Sequence, residues 1–167
     1  MLNVQKIMVP LAFSRFSKKI LEYAAGLAEA LGAELILVNV INERDLEAVQ
    51  LITSFGYDVD EEHYLQEIQK QRIGELEKMI GEIDFPEERI RVVFRVGRPA
   101  RVLLHFAVEE EVDMIVMGIR ARSEIAHAFT GSVAEKLFHR SPITIVSYRD
   151  EDNAARLRRR LHMDQQQ

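Results

Sequence analysis

Cysteine is absent from the 167-residue sequence, which excludes disulfides, thiolate metal sites and a cysteine nucleophile, and which suits a reducing compartment. No run of eighteen or more apolar residues occurs, so no membrane-spanning helix is expected. The opening MLNVQKIMVPLAF lacks a charged region followed by a long apolar core and a small-residue cleavage site, so no secretory leader is read there. The five histidines are scattered without HxxxH or HExxH spacing, which leaves a zinc site without support. A net charge of −5 argues against a general affinity for nucleic acid. A cytoplasmic protein is the resulting expectation. With 47% hydrophobic residues, the chain has enough apolar material for one domain with a full core.

The most informative stretch runs from Asp113 to Val146. Met114 to Met117 is a short apolar run stopped by Gly118, the pattern of a buried strand. Twelve polar and mixed residues follow, and then Gly131 and Ser132 open an amphipathic helix carrying Val133, Leu137 and Phe138. A glycine and a hydroxyl residue at a helix start present free N–H groups, the positive dipole end and an O–H donor. An ordinary cap and an anion site both fit that arrangement.

The remaining chain alternates strands and helices. Lys6 to Leu11 is an apolar run with Pro10 at its exit, where a missing ladder N–H matters least. Ser14 or Ser17 is expected to cap a helix through Ile20, Ala24, Leu27 and Leu31 that Gly32 ends. Glu34 to Ile41 reads as a strand covered on both faces. Asn42 to Asp60 carries a mixed helical pattern, and Glu61 to Ile83 a clear amphipathic helix broken at Asp84-Phe85-Pro86. Ile90 to Val96 alternates, with Arg91, Val93 and Arg95 on the expected wetter face of an edge strand. Pro99 suits the first turn of a helix to about Val112. Pro142 to Ser147 reads as the last strand, in which Ile143, Ile145 and Tyr148 alternate with Thr144 and Ser147. Residues 1–149 form one domain and residues 150–167 a basic, polar tail whose arginines suit a solvated or frayed helix.

This order calls for an α/β fold, a single doubly wound parallel sheet with helices on both faces. Small ligands bind such sheets beyond the carboxyl ends of the strands, where the strand order reverses. If the first strand is central, the loops meeting there are Pro10 to Ser14 and Gly118 to Ser132.

The residues carry a resemblance to a known family. Gly118, two residues, Ala121, nine residues and Gly131-Ser132 are similar to the G-x2-G-x9-G-[ST] signature of the universal stress protein family. KIMVPLAFS, LVNVINERD and VGRPARVLLHFAVEEEVDMIVMG resemble its other segments, so the likeness covers about Val4 to Tyr148. It implies a five-stranded sheet of order 3-2-1-4-5, similar to the adenine nucleotide alpha hydrolase fold. A homodimer through the fifth strand is also implied and, in one branch, ATP at the switch between the first and fourth strands. On that resemblance Pro10 and Ala12 lie at the site, and Val40 and Met117 line the adenine side. Gly118, Gly131 and Ser132 face the ribose and phosphates, and Val133 adds a backbone N–H.

Two positions depart from the pattern. Ala12 stands where the ATP-binding branch commonly has Asp, and Ala121 stands for the second glycine. Loss of a carboxylate removes one or two hydrogen bonds, about 1 to 3 kcal/mol, while Ala121 keeps its N–H. Arg120 and Arg122 offer compensating cations if they face the phosphates; as solvated loop arginines they do not. The expectation is a weakened ATP site, with Mg²⁺ entering with the nucleotide, since Glu124 is the one acidic residue in the loop. No paired catalytic carboxylates or Ser/His/Asp set is evident, so a stress-linked regulator or adaptor with an unidentified protein partner is expected, not an enzyme. The alternative is a nucleotide-independent dimeric interaction protein, motivated by Ala12 and Ala121. A dedicated ATP hydrolase rests on fold analogy alone.

Overall fold

Five short segments pair into one all-parallel sheet in the computed structural model, which describes residues 3–54, 61–118 and 133–164. The strands are β1 (Lys6–Pro10), β2 (Glu34–Asn42), β3 (Ile90–Gly97), β4 (Met114–Gly118) and β5 (Thr144–Tyr148). Their spatial order is β3-β2-β1-β4-β5, as expected. The helices are α1 (Ser17–Leu31), α2 (Glu43–Ser54), α3 (Glu61–Gly81), α4 (Pro99–Glu109), α5 (Val133–Arg140) and α6 (Glu151–Asp164).

Burial on both faces explains why the strands read as near-continuous apolar runs. In β1, Ile7 and Val9 enter one core with Leu21, Ala24 and Phe85 of the α1 side, while Met8 enters the other with Leu103, Phe106 and Leu137 of α4 and α5. The central strand therefore joins both layers. Polar groups set its register from below: the Asp113 carboxylate accepts the N–H groups of Gln5 and Lys6 at 2.8 and 2.9 Å. At the other end of α1, Gly32 takes the left-handed conformation, with φ 70°, that a residue without Cβ adopts at little cost.

Several expectations require correction. The helical pattern read after Asn42 is present as α2, and what changes is the simple alternation of strands and helices, because the connection from β2 to β3 contains both α2 and α3. Neither Ser14 nor Ser17 caps α1 in the expected manner, because Phe16 occupies the N-cap without a side-chain bond. The two serines bond locally instead, with Ser14 N–H donating to Ser17 Oγ at 2.9 Å. On β3, which is an edge strand as expected, Val93 is buried whereas Val92 and Val96 are 40% and 44% exposed. The arginines beside Val93 belong to the covered face because their guanidinium groups lie over the Phe106 ring of α4, 5.9 Å away for Arg91 and 5.5 Å for Arg95, with long stems that tolerate partial burial. In α5 only Leu137 is buried, while Val133 and Phe138 are exposed. Ile143, just before β5, and Ile145 within it face the α4 side, and Tyr148 joins Val146 on the other.

Candidate functional site

Parallel pairing brings three loop starts to one edge of the sheet. β1 pairs with β2 through Pro10 opposite Val38, and with β4 through Ile7 opposite Met114 and Met8 opposite Ile115. The exits at Pro10, Asn42 and Gly118 therefore share the carboxyl end, at the point where the strand order reverses.

Here lie the expected residues that the structure describes. Pro10 ends β1 and is half-buried, and Leu11 prolongs the pairing by donating its N–H to the Val38 carbonyl at 2.9 Å. Ala12 is exposed, Val40 is half-buried against the α4 core, and Met117 is buried. Gly118 is packed so closely on α1 that a Cβ there would sit 2.5 Å from Ile20 Cδ1. Val133 is the first residue of α5. Arg120, Ala121, Gly131 and Ser132, with Arg122 and Glu124, lie outside the described residues.

A polar relay that the pattern of apolar runs did not announce holds the β1 loop. Asn39, buried in β2, donates from Nδ2 to the Leu11 carbonyl at 2.7 Å and accepts from Arg72 of α3 at 2.6 Å. The Arg72 guanidinium also lies 5.8 Å from the centre of the Phe13 ring. Phe13 itself adopts φ 48°, a left-handed conformation that costs a residue with a Cβ about 1 to 2 kcal/mol. Asn39 was visible in the sequence as the one polar side chain inside LVNVI.

Asp150 is a second residue at this edge that the sequence reading did not single out. It is buried, and with Phe16, Ile20, Gly118 and Tyr148 it bounds a cavity of about 40 Å³ beside the end of β4. Residues just past the last strand thus contribute to this edge. Among the described residues, no three His, Asp or Glu side chains converge as metal ligands.

The universal stress protein family model matches residues 3–149. The chain belongs to the universal stress protein family. A universal stress protein of Methanothermobacter thermautotrophicus is 30% identical over 141 residues, covering 84% of this chain and 92% of the relative. Universal stress protein MJ0577 of Methanocaldococcus jannaschii is 24% identical over 155 residues, covering 85% and 94%. The solved structure of MJ0577 superposes with a TM-score of 0.66 at 22% identity, over 90% of this chain and all of that one. A universal stress protein solved in complex with cAMP gives 0.61 at 20% identity, over 89% and 98%. At these identities the two structures establish the shared fold, and this universal stress protein has the five-stranded order 3-2-1-4-5 in common with them.

Proposed function

We propose that this universal stress protein binds an adenine nucleotide, ATP, beyond the carboxyl ends of β1 and β4, and acts as a stress-response regulator or adaptor. The observation that carries the reading is Gly118. It ends β4 at the reversal of strand order, against Ile20, and opens the spacing Gly118-x2-Ala121-x9-Gly131-Ser132. The missing side chain there lets α1 close on the strand end through Ile20, and the nucleotide reading rests on the glycine spacing that begins at this point. A relative of the same fold was solved with cAMP, which supports an adenine ligand for this family member.

The roles follow the notional path of the ligand. Pro10, Ala12, Val40 and Met117 take the adenosine side; Gly118, Gly131 and Ser132 face ribose and phosphates; and the N–H groups of Ala121 and Val133, with the Arg120 side chain, complete the phosphate contacts. Mg²⁺ enters with ATP and not through a protein carboxylate cage. The sequence carries no paired catalytic carboxylates and no evident Ser/His/Asp set, and on this reading the protein acts by binding. We place it in the cytoplasm, as a homodimer that pairs along β5, an outermost strand of the sheet, and in contact with a protein partner.

The test is direct. Denaturing the purified protein and analysing the supernatant by mass spectrometry is expected to release an adenine nucleotide, and titration calorimetry with ATP to give measurable heat. No nucleotide, no heat and no thermal shift at millimolar ATP would overturn the reading in favour of a nucleotide-independent interaction protein. Gly131→Val is expected to abolish binding, because a branched side chain fills the phosphate space; unchanged affinity would move the ligand elsewhere.

A further inference from the structure

A cavity of about 620 Å³ opens at the carboxyl end of β2, between the start of α4 and one side of α5, within the size range of small-molecule sites. Its described lining includes Arg44, Arg98, Arg101, Lys136 and Arg140 and no aspartate or glutamate. Five cations therefore converge on one concave surface of a chain whose net charge is −5. Like charges gathered this way repel one another and raise the local potential for an incoming anion.

Among the described residues, one of the five is neutralised by a neighbour. Arg98 Nε donates to Glu43 Oε1 at 2.5 Å, and this bond, followed by the carboxylate's charge, holds the guanidinium above its ordinary pKa. Arg44, Arg101, Lys136 and Arg140 form no ion pair among the described residues. Glu43 lines the adjoining cavity under Val96 and Val102, not this one.

Two backbone features add donors at the same place. The first turn of α4 has neither a side-chain cap at Arg98 nor an acidic residue, so its N–H groups and positive dipole end are uncompensated by protein groups there. Val133, the first residue of α5, is also part of the lining. That residue is one to which the adenine-nucleotide reading gives a phosphate contact, so the cationic cavity continues from the proposed phosphate end.

We infer that this cavity receives the polyphosphate tail of the nucleotide and makes the site select its ligand by charge: triphosphate over diphosphate, and either over a monophosphate such as cAMP. The inference rests on the adenine-nucleotide reading, but it assigns new work to α4 and α5 side chains outside the glycine signature. Arginine forks bind phosphate oxygens in pairs, and each added phosphate oxygen set reaches another of the free cations. Affinity then falls steeply with salt for ATP and weakly for cAMP.

The experiment titrates the full chain with ATP, ADP, AMP, cAMP and inorganic tripolyphosphate at two salt concentrations, in wild type and in the exposed-site variants Arg101→Glu and Lys136→Glu. The expected result is affinity in the order ATP, ADP, AMP, with tripolyphosphate competing against ATP. Each charge reversal weakens ATP and tripolyphosphate about tenfold or more and leaves AMP within about twofold. Circular dichroism and the AMP affinity report that the variants remain folded. ATP binding that neither reversal changes, or an equal loss for ATP and AMP, overturns the charge-selecting cavity while leaving the nucleotide site in place. Tripolyphosphate binding that the reversals abolish, in a protein that binds no adenine compound, does the converse: it supports the cavity and overturns the adenine reading.

Discussion

The side-chain oxygen of Asn39 accepts a 2.6 Å hydrogen bond from the Arg72 guanidinium, across 33 residues of sequence. Asn39 also fixes the Leu11 carbonyl, so one buried amide ties α3 to the loop that leaves β1. Asn39→Leu keeps the volume and strands both partners. Its expected cost is about 1 to 3 kcal/mol, read by urea denaturation, with loss of the Phe13 loop's native chemical shifts. Arg72→Ala costs less, because Asn39 Oδ1 then has solvent access; equal losses in the two variants would refute this ranking.

Gly118→Ala places a methyl group 2.5 Å from Ile20 Cδ1. The obstructing atom is the far end of a flexible chain, so the helix need not move far, and the expected loss is about 1 to 3 kcal/mol, the usual range for overpacking. Ile20→Val removes that terminal methyl. The double variant is expected to recover part of the loss, giving a favourable coupling energy in a double-mutant cycle; strict additivity would show that the clash is relieved elsewhere.

Ala12 is exposed at the exit of β1, where a carboxylate meets no packed neighbour that must be displaced. Ala12→Asp is expected to tighten ATP about ten- to a hundredfold by supplying one or two hydrogen bonds, measured by calorimetry. No change would dissociate this loop from the ligand.

Two carboxylates set an acid dependence of stability. The Glu82 carboxyl lies below its ordinary pKa because Lys18 hydrogen-bonds to it at 2.5 Å and then attracts it, and Glu110 is lowered by its hydrogen bond from Arg91 at 2.6 Å. A folded-state pKa below the unfolded one means that the unfolded chain binds more protons, so these pairs stabilise the fold above the ordinary carboxylate pKa. Their contribution disappears as pH falls through the lowered values. Lys18→Met and Arg91→Met are therefore expected to flatten the acid limb of the melting temperature against pH. Lys18, raised by the same partner, contributes below its ordinary pKa and loses that contribution as pH rises through the raised one, so Lys18→Met flattens the alkaline limb as well. Both pairs are open to solvent, so added salt weakens the effect.

The legible parts of the molecule were those governed by one local rule. Pro10, Gly32 and Pro99 marked element ends correctly because each acts through its own φ or missing N–H. Apolar runs such as ELILVNVI announced strands buried on both faces. What a one-dimensional pattern misses is the identity of the neighbour. Arg91 and Arg95 read as solvent-facing until Phe106 supplies a ring beneath them, and Ser17 read as a cap until Ser14 N–H claimed its oxygen. At the candidate site, Pro10, Ala12 and Gly118 lie at the strand ends that the strand order brings together, and Val40 and Met117, which the family resemblance singled out, lie near the ends of β2 and β4. The roles of Asn39 and Arg72 escaped because their partners are distant in sequence. The convergence of Arg44 and Arg101 with Lys136 depends on three elements meeting, and no spacing rule encodes it.

The placement of β1 at the centre of the sheet also sets an order of assembly. β1 leaves the ribosome first, yet one of its partners, β4, begins at Met114, so a nascent chain shorter than that carries Ile7, Met8 and Val9 on an unpaired edge. Such long-separation pairing is slow, and an apolar edge held open during synthesis invites association with other chains. The same delay means that the candidate ligand edge, built from β1 and β4 together, forms only after β4 has been made.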